Sequence, residues 1–232
     1  MRGLVVTPST FARHMAALAA VGYQGKSMGD LVPYLTGEKR GKVFGITFDD
    51  GYENNLRCAL PVLQRYGFTS TCYVVANQIG KSNSWDLERG VAQVPLMSVS
   101  QLQEWIAGGQ EVGSHTLNHA NLSGLQEAEQ QVEIAQSKVQ LENTIRQRGG
   151  VQHFCYPYGG LDSSAVNAVR AAGYLTATTT ARGRAVQGVS DNLLLPRVLV
   201  SRTTTWMQLL LKCLSQYEDK RGPAQRGNAR PA

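Results

Sequence analysis

The segment KVFGITFDDGYENNLRCALPVLQRYGFTSTCYVVA, residues 42–76, contains one complete strand–helix–strand pattern. It begins with a mostly apolar and β-branched run that is typical of a buried strand. Leucines then recur at helical spacing, and Gly67 supplies a stop signal. A second β-branched run closes the segment, so the pattern predicts two parallel strands joined by a helix. The predicted bounds are 42–48 for the first strand, 54–67 for the helix and 69–76 for the second strand.

The same alternation continues along the chain. Ser98 and Gln101 have the spacing of a capping box, and Asp162 is placed to cap a later helix. The further predicted strands are 110–114, 151–156, 174–180 and 193–200, and the further predicted helices are 98–109, 125–150, 163–172 and 203–217. In the long helix we expect one apolar side formed by Val132, Ala135, Val139, Leu141 and Ile145. Repeated strand–helix units at this length predict a (β/α) barrel, with a doubly wound open sheet as the alternative.

Length and charge limit the domain organisation and the binding partners that the sequence allows. The 232 residues suit one barrel domain, which we expect over 1–219. The net charge of +6 is concentrated in the Pro/Gly/Arg-rich end of the chain, 220–232, which we predict to be a disordered basic tail. The rest is nearly neutral and has no basic helix with interleaved aromatic residues, so the sequence argues against a nucleic-acid partner. The sequence leaves the oligomeric state open.

The four cysteines and the ends of the chain bear on its compartment. No two cysteines form a C-x-x-C pair, and we expect Cys58 and Cys72 to act as small apolar residues. The chain has no run of apolar residues long enough to span a membrane, and its start does not resemble a signal peptide. The expectation is a cytoplasmic protein, or a periplasmic or exported one if the sequence is a domain cut from a longer protein.

The residues that carry chemistry collect where predicted strands end. In a parallel barrel these ends meet at one face, where barrel enzymes place their active residues. Asp49 and Asp50 follow the first strand, so one carboxylate can bind a metal while the other stays free as a base. His115 and His119, four residues apart, would present two imidazoles together if they lie on a helical turn. Two histidines and one carboxylate favour an open, catalytic metal site.

Each of these patterns also has an ordinary explanation. Asp-Asp-Gly is a common turn sequence, an isolated H-x-x-x-H is often accidental, and the YPYGG segment at 156–160 has the composition of a plain loop. Their common position at strand ends makes the joint accident improbable.

These motifs resemble the polysaccharide deacetylase family, the NodB-homology domain of carbohydrate esterase family 4. The similarity covers roughly residues 5–200, through TFDDG (47–51), HTLNH (115–119) and FCYPYGG (154–160). It implies a distorted (β/α) barrel of about seven parallel strands. It also implies that Asp49 is the general base and that the backbone N–H of Tyr158 donates a hydrogen bond to the oxyanion. The implied metal ligands are Asp50, His115 and His119.

Two features depart from the family pattern. Cys155 stands where many members have an Arg that orients the base, and no histidine follows His153 to act as the usual late general acid. His153 is a candidate acid, with a structural role as the alternative. Arg197 lies in the otherwise apolar run LLLPRVLV, so we predict that it reaches across the barrel mouth to Asp49, the alternative being an outward position.

The resemblance implies a metal-dependent hydrolase that releases acetate from N-acetyl groups of a GlcNAc-type glycan. Zn²⁺ is the expected metal, with Co²⁺, Ni²⁺ or Fe²⁺ also compatible. Tyr156, Tyr158 and Trp85 are candidates for stacking on sugar faces, with packing as the alternative. Three other functions stay open: removal of O-acetyl esters, a catalytically silent carbohydrate-binding barrel, and hydrolysis of a small or cyclic amide.

Overall fold

The computed structural model describes residues 5–221, which form seven α-helices and eight short strands. The helices are α1 (Pro8–Ala20), α2 (Met28–Thr36), α3 (Leu60–Tyr66), α4 (Val99–Ala107), α5 (Glu127–Thr144), α6 (Ser163–Ala171) and α7 (Trp206–Leu214). The strands are β1 (Gln24–Lys26), β2 (Val43–Gly45), β3 (Thr47–Phe48), β4 (Thr71–Val74), β5 (Glu111–Ser114), β6 (His153–Cys155), β7 (Thr176–Arg182) and β8 (Leu195–Arg197). Among the helices described, none is long and apolar enough to cross a bilayer.

The main sheet has six strands in the order β3-β4-β5-β6-β7-β8, all parallel. A doubly wound sheet would reverse its order at a switch point. This order runs straight through the sequence, so the sheet curls in one direction as a distorted (β/α) barrel, and the predicted fold class is confirmed. The paired order ends at β3 and β8, which leaves the described barrel open between its first and last strands. β1 and β2 form a separate parallel pair.

The predicted strand 42–48 is divided between the two sheets at Ile46. The Ile46 N–H donates to the carbonyl of Lys26, and the Ile46 carbonyl accepts from the N–H of Thr71. The residues before Ile46 therefore pair with β1, whereas those after it pair with β4. The predicted count of about seven strands becomes six in the main sheet plus two in the small one.

The predicted helix over 54–67 begins with a wider turn. Residues Asn55–Ala59 form a π-helix, and the regular α-helix α3 starts only at Leu60. Pro61 accounts for the change, because proline has no N–H to donate to the preceding turn. Gly67 ends α3 in the left-handed conformation, as its position predicts.

The long helix differs from its prediction in length and in its buried side. It ends at Thr144, and Ile145 is already extended. Val132, Ala135 and Val139 are exposed, so their predicted place on the apolar side was wrong, whereas Leu141 and Ile145 are buried as predicted. The buried face follows the 3.6-residue period through two apolar and two polar residues, namely Gln130, Ile134, Ser137 and Leu141. Each polar member is hydrogen-bonded, Gln130 to the carbonyl of Leu122 and Ser137 to Ser114.

Other predicted features agree with the structure. The capping box of Ser98 and Gln101 opens α4, and the Asp162 side chain accepts from the N–H of Ala165 at the start of α6. Cys72 is buried, whereas Cys58 is partly exposed. Of the predicted basic tail, Lys220 and Arg221 lie in a short 3-10 helix, and 222–232 are outside the described residues.

Candidate active site and metal centre

The predicted site residues meet at the carboxyl ends of the main sheet's strands. Asp49 and Asp50 follow β3, the two histidines follow β5, Tyr158 follows β6, and Arg197 ends β8. Since parallel strands bring these ends to one face, residues that are far apart in sequence become neighbours.

Three side chains form a compact donor set. The Asp50 Oδ1 atom lies 3.5 Å from His115 Nε2 and 3.2 Å from His119 Nε2. The three ligand atoms all lie within 4.8 Å of one another, and both histidines are buried. Two imidazoles and one carboxylate are a usual ligand set for an open divalent metal site. The arrangement therefore fits the metal that the sequence predicts.

The backbone around the histidines corrects one expectation. His115 and His119 lie on an irregular turn after β5, and Thr116 and His119 have positive φ angles of 66° and 61°. Asp50 also has a positive φ, 74°. Left-handed backbone at residues other than glycine is strained and clusters at functional sites. The imidazoles thus come together through this turn, whereas the predicted helical turn is absent from the described structure.

The hydrogen bond to the His115 ring favours metal ligation through its Nε2 atom. His115 Nδ1 lies 2.8 Å from the backbone carbonyl of Cys155, so Nδ1 carries the proton and the Nε2 lone pair faces Asp50. Burial lowers the pKa of His119, although its hydrogen bond to Asp50 opposes that effect. A neutral imidazole is the form that binds a metal. The Nδ1 of His119 is buried and has no partner within residues 5–221.

Asp49 has a different environment from Asp50. Arg197 Nη1 donates to Asp49 Oδ1 at 2.7 Å, while Arg197 Nε donates to the carbonyl of Thr179 at 2.8 Å. Burial alone would raise the pKa of Asp49, but the charge and hydrogen bond of Arg197, together with His115 and the Cys155 thiol, outweigh burial and lower the pKa to about 2. The thiol of Cys155 adds a weak contact, 3.7 Å from Sγ to the same oxygen. Asp49 is therefore held ionised and is oriented by Arg197 from the last strand.

A second possible donor set shares one histidine with the first. Asp49, His115 and Cys155 also lie within 4.8 Å of one another. A cation here would sit beside the guanidinium of Arg197, which pairs with Asp49. Burial also raises the pKa of the Cys155 thiol, which keeps it protonated and a poor ligand. Charge and protonation both favour the set built on Asp50.

His153 lies away from this face of the sheet. It begins β6, its Nδ1 lies 2.8 Å from Thr176 Oγ1, and its Nε2 lies 3.4 Å from a carboxylate oxygen of Glu111 at the start of β5. These are the amino ends of the strands, opposite the metal set. The candidate role of His153 as the general acid was wrong, and it belongs to a buried polar cluster.

The three candidate sugar-stacking residues have different surroundings. Tyr156 is buried, and its hydroxyl donates to the carbonyl of Leu193, so it belongs to the core. Tyr158 is 40% exposed, has a φ of 58°, and contacts the His119 ring edge-on at 4.5 Å. Trp85 stacks on His119 with 4.5 Å between ring centroids and 15° between planes. Tyr158 and Trp85 thus flank a predicted metal ligand.

Sequence reasoning missed three residues around the donor set. Tyr52 lies beside Asp50, and burial together with the Asp50 charge raises its pKa. Asp86 and Arg89 come from a 3-10 helix, Ser84–Arg89, that follows β4. The segment WDLER, residues 85–89, carries no recognisable motif, so only the fold reveals that it reaches the site.

Comparison with known proteins agrees with these motifs. The profile of the family described as polysaccharide deacetylase matches residues 36–177. YxkH of Bacillus subtilis, whose name places it among polysaccharide deacetylases, is 32% identical over 78% of this chain and 61% of its own length. The poly-β-1,6-N-acetyl-D-glucosamine N-deacetylase of Staphylococcus epidermidis is 28% identical over 67% of this chain and 54% of its own. The chain thus spans between about half and three fifths of these relatives.

A solved structure extends the similarity to the whole fold. The structure of IcaB from Ammonifex degensii has a TM-score of 0.77 and 25% identity, with 91% of each chain covered. The family profile spans all three sequence motifs, and the superposition spans the barrel. The chain therefore belongs to the polysaccharide deacetylase family.

Proposed function

We propose that this chain is a metal-dependent hydrolase that removes N-acetyl groups from a GlcNAc-type polysaccharide or glycan. The observation that carries the proposal is that two adjacent carboxylates have different partners. Asp50 faces His115 and His119, whereas Asp49 is paired with Arg197. Asp50 is therefore available to bind a metal, and Asp49 is available to accept a proton.

Asp50, His115 and His119 would hold the metal, for which Zn²⁺ is the proposed ion. When bound, such a metal supplies Lewis-acid polarisation of an acyl oxygen and makes a water more acidic. The remaining work belongs to the protein's own groups. Asp49 accepts the proton of the attacking water, and Arg197 keeps its carboxylate ionised and directed. The backbone N–H of Tyr158 donates to the oxygen that becomes negative during attack.

The substrate class rests on chemistry and on a relative. The Staphylococcus epidermidis relative is named for removing N-acetyl groups from a polymer of N-acetylglucosamine. Trp85 and Tyr158 flank His119 with aromatic surfaces, which favour the apolar faces of sugar rings. The same base and metal set can also hydrolyse O-acetyl esters, so the ester is the competing substrate.

The direct test is acetate release from N-acetylated and O-acetylated oligosaccharides, before and after treatment with a chelator and after metal is restored. The proposal expects release from N-acetylglucosamine oligomers that the chelator abolishes and Zn²⁺ restores. Release from O-acetylated glycans alone would establish an esterase. Binding of glycan without release of acetate from either class would establish a silent carbohydrate-binding barrel.

Arg197 gives a prediction about pH. Arg197→Ala is expected to raise the pKa of Asp49 from about 2, because burial then acts without the opposing positive charge. A general base works in its ionised form, so activity is retained above this pKa and lost as the pH falls through it. The acid limb of kcat/KM should therefore move to higher pH, as a pH–rate profile would measure.

Arg197→Lys is the matched control, since it restores the positive charge without the second donor to Thr179. Its acid limb should lie between those of the parent and the Ala variant, with metal content equal in all three proteins. If the Ala variant keeps the parent's acid limb and rate, Arg197 does not act on the base.

A further inference from the structure

The 3-10 helix Ser84–Arg89 forms part of the wall of the candidate site. Its Trp85 stacks on the predicted ligand His119, with 4.5 Å between ring centroids. Its Arg89 guanidinium lies 4.6 Å from the centre of the Tyr158 ring. Asp86 comes between these two contacts in the sequence, on the same short helix. The segment thus reaches one metal ligand and one predicted oxyanion residue, and it carries a carboxylate between them.

Asp86 has an unusual environment for a carboxylate. Its side chain is 0% exposed, and neither carboxylate oxygen has a hydrogen-bond partner in the described structure. The nearest cation is Arg89, whose Nη1 is 3.7 Å away and whose side chain is 58% exposed. Burial of a charge without close partners is costly, so Asp86 contributes little as a structural anchor.

The charge of Asp86 is felt by residues on several sides of the site. Burial raises the pKa of Tyr52 and of Tyr158, and the negative charge of Asp86 raises both further. Burial lowers the pKa of His119, and the charge of Asp86 opposes that lowering. The other two carboxylates are engaged, Asp49 with Arg197 and Asp50 with the histidines. Asp86 is a third carboxylate near the donor set, and its one ion pair in the described structure is the 3.7 Å contact with the exposed Arg89.

Amide and ester hydrolysis differ in the charge that appears on the leaving group. An N-acetyl group and one water yield acetate and an ammonium: the carbon–nitrogen bond breaks, a carbon–oxygen bond forms, and both water protons end on nitrogen. An O-acetyl ester and one water yield acetate, a neutral alcohol and a released proton. Only the amide reaction develops a positive charge on the departing atom, so an anion nearby favours it selectively.

We propose that Asp86 is a specificity-determining residue that favours N-acetyl over O-acetyl substrates by stabilising the positive charge on the departing nitrogen. This inference rests on the proposed function, because it assigns a preference to the same site. Asp86 acts through its electric field, and Asp49 remains the base in both reactions.

The test compares both substrates in Asp86→Asn, with Glu88→Gln as the matched control. Glu88 lies on the same segment and is exposed, so its change removes a charge from the wall's outer side. Measurements are kcat/KM for an N-acetylglucosamine oligomer and for an O-acetylated oligosaccharide, metal content, and Tm. We expect Asp86→Asn to lower the amide reaction about tenfold or more, equivalent to about 1.4 kcal/mol, and to change the ester reaction less than about twofold.

We expect metal content to be retained and Tm to be unchanged or higher, because the substitution removes a buried charge. Asp86→Ser, a smaller neutral residue, gives a second measurement of the same ratio if the Asn protein folds poorly. Equal losses on both substrates, loss of metal, or an unchanged ratio would overturn the inference. A parent protein that hydrolyses neither substrate would instead overturn the proposed function, so the two failures are distinguishable.

Discussion

Asp49→Asn is expected to keep its metal and to lose between about 10² and 10⁴ in the rate of acetate release. The amide side chain has the shape of the carboxylate and still contacts Arg197, but it cannot accept the water proton. Asp50, His115 and His119 are unchanged, so the metal should remain. The measurements are kcat on an N-acetylglucosamine oligomer and metal content of the same preparation.

A control distinguishes the loss of the base from an effect of the substitution on protein stability. Asn also removes the negative charge opposite Arg197, so the protein's Tm should be measured alongside the rate. If the Asn variant works at close to the parent rate with a full complement of metal, Asp49 is not the base. A variant that loses metal would instead place Asp49 among the ligands.

Asp50→Asn is expected to lower metal affinity more than about 100-fold, since even groups that only support a ligand affect affinity by 10- to 100-fold. Acetate release should fall to background because the polarising ion is lost. The substitution keeps the side-chain volume, so circular dichroism and Tm should show a folded barrel. Metal titration measures the affinity directly, and it does not depend on activity.

Asp49→Asn serves as the matched control for this experiment. The two aspartates are adjacent and the substitutions are chemically identical, yet only the change at Asp50 should release the metal. Excess Zn²⁺ should restore part of the activity of Asp50→Asn, and it should restore none to Asp49→Asn. Equal metal affinity in the two variants would contradict the assignment of Asp50 as a ligand.

The barrel could be predicted because its signals are local. Strand–helix alternation, the capping box at Ser98 and the cap at Asp162 each depend on nearby residues, and the structure agrees with them. The division of the first strand at Ile46 could not be predicted, because it depends on pairing with Lys26 and Thr71 in other elements. The buried face of the long helix was misjudged because hydrogen bonds let polar residues occupy core positions.

The candidate site likewise has features that local sequence signals predict and features that only the fold reveals. The sequence could predict that residues at strand ends lie close together, since the carboxyl ends of parallel strands meet at one face. Arg197 was noticeable as a charge in an apolar strand, and the structure places it 2.7 Å from Asp49. Asp86 gave no such signal, because an irregular segment has no periodicity from which burial can be inferred. Nor does the H-x-x-x-H spacing reveal that Thr116 and His119 take left-handed backbone angles.

The opening between the first and last strands of the barrel lies between residues that are synthesised at different times. Asp50, His115 and His119 all lie within residues 50–119, whereas Arg197, which contacts Asp49, follows Asp49 by 148 residues. During synthesis the ligands emerge long before the last strand, and segments nearer the amino terminus have the first opportunity to fold. Binding of the proposed metal can therefore precede the arrival of the guanidinium that orients the proposed base. A nascent chain could hold the ion before Asp49 is oriented, and docking of the final strand would complete the proposed site.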